Sequence, residues 1–96
     1  MAAGDVKAGL QSIAAGSFLT IQPSSGEEWI VVNIYVPNST PSELYWTDGT
    51  NSILIDSQGT GGWFGYSFHV TNSLYLKVKN THTSAVYMGY SGIQTK

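Results

Sequence analysis

From about residue 17 to the end, the chain runs in stretches rich in β-branched and aromatic residues, separated by clusters of Gly, Pro, Ser and Asn at short, regular spacing. Side chains that alternate with period two lie on opposite faces of a strand, so each stretch predicts a strand with one buried face. The stretches are SFLTIQ (17–22), WIVVNIYV (29–36), ELYWT (43–47), SILID (52–56), WFGYSFHV (63–70), LYLKVK (74–79) and AVYMGYSG (85–92). The joins PSSGEE, PNSTPS, DGTN, SQGTGG, TNS and NTHTS all carry turn chemistry. There is no internal repeat and no linker.

The first sixteen residues admit two readings. Asp5 could cap a short helix with Leu10, Ile13 and Ala14 on one face and Gly16 as terminator. Gly9 counts against it, and a strand over about 6–14, turning at AAG, suits the all-β context better. With that strand the chain is an all-β, single-domain antiparallel β-sandwich of about eight strands, jelly-roll-like, spanning residues 1–96. Ninety-six residues suffice for one modest core and not for two.

The stretch ELYWTDGTNSILIDS (43–57) reads as a hairpin. A two-residue loop at Asp48-Gly49 would pair Leu44 with Ile53. A four-residue loop over DGTN would pair Trp46 with Ile53 and Leu44 with Ile55, a better apolar ladder. A three-residue loop would slip the register and set these apolar residues against Ser52 and Leu54. The four-residue register also sets Glu43 directly across from Asp56, a like-charge pair that must be tolerated. Screening by water at the open end, with Lys77 or Lys79 nearby, is the plain answer. A calcium ion held by the two carboxylates lacks any EF-hand spacing to support it. A glycosidase acid and nucleophile would need a cleft between them.

Only 10% of the residues are charged, against roughly 25% in an average soluble protein. Ser, Thr, Asn, Gln and Gly together make 41 of the 96, so the polar surface is mostly hydroxyl, amide and backbone. So little charge gives little protection against self-association, which favours an assembled working state and a homo-oligomer. All four cations are lysines and the net charge is -2, a poor basis for binding nucleic acid. Without cysteine there is neither a disulfide framework nor a thiolate zinc site. The longest apolar run, WIVVNIYV, is too short for a membrane span, and the opening MAAGDVKAGL does not read as a signal peptide. The expectation is a protein made in a host cytoplasm without a leader, with no membrane partner.

No catalytic constellation emerges, and no cofactor or metal is expected. GYSGI (89–93) begins like a nucleophile elbow but has Ile93 in place of the final Gly, and no helix pattern follows Ser91. His69 and His82 lack a ligating partner at helical spacing, and GTGG (59–62) lacks the Lys of a phosphate loop. Most of the aromatic rings are needed to fill a sandwich of this size. Trp46, Trp63, Phe64 and Tyr66 are the candidate ligand or partner contacts. Trp63 in particular follows a run of glycines at a loop-to-strand edge, where an exposed ring could stack on a sugar.

The segment IAAGSFLTIQPSSGEEWIVVNIYV (13–36), with its strand, Pro-containing turn, Gly-Glu, Trp and strand, resembles small β-sandwich proteins encoded among the virion structural genes of tailed bacteriophages. VTNSLYLKVKN and GYSGIQTK are similar to the closing strands of that group. The resemblance implies a non-enzymatic virion protein (capsid decoration, head-fibre or tail-associated subunit) that contacts other virion proteins and forms a homo-oligomer, with a trimer preferred. The other expectation is a carbohydrate- or receptor-binding module, which would display its aromatic rings on a sheet face or rim.

Overall fold

The computed structural model describes residues 3–38, 40–59 and 61–96; Ser39 and Thr60, which the sequence assigns to turns, and the first two residues lie outside the described residues. The alternation becomes strands with one face inward. In β7 (Tyr75–Asn80) every second residue is buried, and these are Leu76, Val78 and Asn80. In β2 (Phe18–Ile21) they are Leu19 and Ile21. The remaining strands are β1 (Val6–Ile13), β3 (Glu28–Tyr35), β4 (Ser42–Thr47), β5 (Ser52–Gln58), β6 (Phe68–Thr71) and β8 (Val86–Gln94).

They form two four-stranded antiparallel sheets, ordered β1-β8-β3-β6 and β2-β7-β4-β5. The chain pairs β1 with β8, β2 with β7, β3 with β6 and β4 with β5. It is thus a long hairpin, closed by the β4–β5 turn and wound over itself into two layers, which is a jelly roll. Leu19, Val31, Ile34, Leu44, Val78 and Met88 lie in the core between the layers, each almost wholly out of water. Every such side chain contributes about 1.5–3 kcal/mol relative to exposure.

The N-terminal segment is a strand, not a capped helix. Gly9, awkward in a helix, has a steric reason in the sheet. It is paired with Tyr90, whose ring lies over it so closely that a Cβ would come within 2.8 Å of Cε1.

The stretch expected as one strand over 63–70 is divided. Trp63 forms only an isolated bridge with Ile34, and regular pairing begins at Phe68. Between them Gly65 adopts a positive φ of 73°, and the Tyr66 N–H turns to the Val32 carbonyl at 3.0 Å. Val32 is itself the extra residue of a bulge, because β3 shifts register against β8 between Val31 and Asn33.

Candidate functional site

The 43–57 hairpin turns through the four-residue loop. Asp48 accepts hydrogen bonds at Oδ1 from the backbone N–H groups of Thr50 (2.8 Å) and Asn51 (2.6 Å), while Gly49 takes the positive φ of 96° that the turn requires. Trp46 pairs with Ile53 as the hydrophobic pattern predicts. Beyond Tyr45 and Leu54 the ladder shifts, and Leu44 pairs with Asp56 instead of Ile55. Ile55 is therefore the extra residue of a bulge.

One added residue reverses the face presented by everything after it. Glu43 now opposes Ser57 on one side and Lys79 on the other, on the outward face. Asp56 shares the inward side with Leu44, and its Oδ2 accepts a hydrogen bond from Trp63 Nε1 at 2.7 Å. The expected clash of Glu43 with Asp56 does not arise. The two carboxylates occupy opposite faces, so they form neither a calcium pair nor a glycosidase pair. Among the described residues no cluster of three or more His, Cys, Asp or Glu is suited to a metal ion. The indole N–H, helped by the Gln58 amide and the Ser57 N–H, holds the Asp56 carboxyl below its ordinary range. Glu43 instead accepts a bond from the Tyr45 hydroxyl at 2.7 Å, which raises that phenol above its usual value.

The four candidate contact rings do not share one site. Trp63, expected as an exposed ring, is 1% exposed and belongs to the core. Its backbone is clamped to Ile34 by two hydrogen bonds of 2.7 and 2.9 Å, made possible because Gly62 beside it has no side chain to strike the Ile34 carbonyl. Trp63 thus anchors a loop that displays Phe64 and Tyr66. Phe64 is exposed and packs 5.8 Å from Tyr35, and Tyr66 stacks on Phe68 at 5.3 Å. Trp46 is half-buried and lines a shallow groove of about 190 Å³ with Thr47, Asp48, Asn51, Ile53 and Leu74.

The outer faces of the two sheets differ in chemistry. On the β2-β7-β4-β5 sheet, Lys77, Lys79 and Glu43 face outward, and Phe18 is covered by Lys77 Nζ, 4.4 Å from its ring centre. This is a solvated charged face. On the other sheet, registers with the core residues place Val6, Ala8 and Leu10 outward beside Tyr87, Ile93 and Tyr35. Val6 is 74% and Leu10 71% exposed. Of the ionisable groups in these strands, only the Tyr35 and Tyr87 phenols, His69 and, at the rim, Glu28 face outward. β1 is thus inverted, because Lys7 points to the inner side, 5.4 Å from the Trp29 ring centre and 3.7 Å from Glu27, while its aliphatic residues face out.

Sequence reasoning did not name Val6, Leu10, Tyr87 or Ile93 as contacts. The signal was the alternation of VKAGLQSI itself, but its phase is fixed only by the pairing with β8. No protein-family model matches the chain, and no curated protein matches it.

Proposed function

We propose that this chain is a non-enzymatic structural subunit that works through broad protein contacts in an assembly, of the kind tailed-phage virions use for capsid decoration, head fibres or tail-associated parts. The inverted face of β1 carries the proposal. An isolated soluble domain gains nothing by exposing Val6 and Leu10, whereas a subunit covered by neighbours does. A face with so few formal charges also meets a copy of itself, or a particle shell, without like-charge repulsion. The resemblance of residues 13–36 to virion β-sandwich proteins and the jelly-roll winding support the same reading.

Light scattering at increasing concentration tests it. The unaltered chain should have a mass above one chain, and Leu10→Lys should lower that mass while Thr20→Lys, on the opposite sheet, should not. A single-chain mass at every concentration would count against the proposal.

A second reading, a carbohydrate-binding module, is favoured by the groove beside Trp46, where an indole lies near the Asp48 carboxylate and the Asn51 amide. A glycan array followed by titration of Trp fluorescence tests it, and no response to any sugar removes it.

A further inference from the structure

We infer that β5 is a strand-pairing edge for a second copy of this chain, which adds its own β5 antiparallel about a two-fold axis near Leu54. The inference rests on the assembly reading and names one partner within it.

Four strands end the two sheets: β1 and β6 in one, β2 and β5 in the other. β2 and β6 have only four residues each, too short to template much pairing. β5 has seven, all but the last exposed. Ile53, Leu54 and Ile55 are 64%, 50% and 46% exposed. Three consecutive aliphatic residues on an open edge are what natural edges avoid unless something covers them.

Lysine and proline, two of the usual protections, are absent from its first half, which ends at the bulge of Ile55. Ser52 to Ile55 contains no Lys, Pro or other charge. The one ionisable side chain of β5, Asp56, is turned inward and bonded to Trp63. Antiparallel pairing about a two-fold axis would therefore bring no like charges together, with Leu54 against its own image and Ile53 against Ile55 of the other copy. Such pairing is also self-limiting. It joins the two β2-β7-β4-β5 sheets into one of eight strands whose outer edges are the two short β2 strands, so a dimer forms rather than a fibre. The order that follows from this contact is two, whereas the virion resemblance implies a trimer.

The chain contains no cysteine, so a single introduced thiol reports the contact directly. Leu54→Cys should form a covalent dimer on mild oxidation, whereas Thr20→Cys should not. Leu54→Lys should weaken dimerisation by about a hundredfold or more, as like charges meet across the axis, with far-UV circular dichroism unchanged. Should Leu54→Lys fail to fold, the Leu54→Cys cross-link decides alone. An oligomer whose mass ignores Leu54→Lys but falls with Leu10→Lys, with no Leu54→Cys cross-link, overturns the edge contact and leaves the assembly reading standing. A single-chain mass for the unaltered protein together with no cross-link overturns both.

Discussion

Trp63 Nε1 donates a hydrogen bond of 2.7 Å to Asp56 Oδ2, joining the loop after β5 to the strand that precedes it. The bulge at Ile55 makes the bond possible, because without the extra residue Asp56 would face outward beside Glu43. Trp63 therefore fills the core with its ring and fixes the bulged edge with its nitrogen. Trp63→Ala should lower stability by about 3–5 kcal/mol, as for other large core aromatics. Trp63→Phe keeps most of the packing but loses the donor, so it should cost less. Urea melts of both variants check the order, and an unchanged midpoint for Trp63→Phe would refute the role of the nitrogen.

The same bond has a pH signature. The Asp56 carboxyl is depressed first by the Trp63 indole, and the Asp48 carboxyl first by the Asn51 N–H and then by that of Thr50. The unfolded chain takes up these protons near the ordinary value of 3.8, before the folded chain does. The stability they contribute is therefore fully present above that value and is lost as pH falls through the lower folded values. Melting midpoints between about pH 5 and pH 2 should fall for the unaltered chain, and fall less steeply for Asp56→Asn and Asp48→Asn. Parallel slopes in all three would contradict the assignment.

Strand positions were legible because period-two alternation and turn residues are local signals. Every strand stretch in the sequence contains a strand, although that of 63–70 is one only from Phe68, and the DGTN loop with its Trp46–Ile53 pair is found as expected. The bulge at Ile55 was not legible. In the run Ile53, Leu54, Ile55 every position is apolar, so an inserted residue leaves no mark on the pattern. The division of residues 63–70 was hidden for a related reason. Gly62 and Gly65 signal a bend, but where the Trp63 backbone docks is decided by Ile34, about thirty residues earlier. The rings of Phe64 and Tyr66 are exposed, as a contact role needs, whereas Trp63 was misplaced because a glycine-rich approach looks the same before a buried anchor as before an exposed ring.

Asn80 was also invisible to sequence reasoning, since a polar residue at the end of LYLKVKN reads as a turn. It is fully buried, and its Nδ2 donates to the carbonyls of Ile13 (2.9 Å) and Ser84 (3.0 Å) while its Oδ1 accepts from the His82 N–H at 2.9 Å. It ties the end of β1 to the β7–β8 turn. Asn80→Ala would strand these backbone groups, and should lower stability by about 3 kcal/mol. Asn80→Asp keeps the acceptor, removes both donors and buries a charge, so it should be at least as damaging at neutral pH. Chemical denaturation of the two variants checks this, and a loss below about 1 kcal/mol for both would show that water replaces the side chain.

Gly62 and Gly59 lie in the same loop and separate two effects of adding a methyl group. A Cβ at Gly62 would run into the Ile34 carbonyl, backbone that is held by the paired hydrogen bonds to Trp63 and has little room to shift. A Cβ at Gly59 would meet nothing within 4 Å. Gly62→Ala should therefore push Trp63 out of register with Ile34 and cost about 1–3 kcal/mol, with a red shift of Trp fluorescence as the indole gains water. Gly59→Ala should stay within about 0.5 kcal/mol of the unaltered chain. If both variants melt alike with unshifted fluorescence, the close approach of Gly62 to Ile34 is not what seats Trp63 in the core.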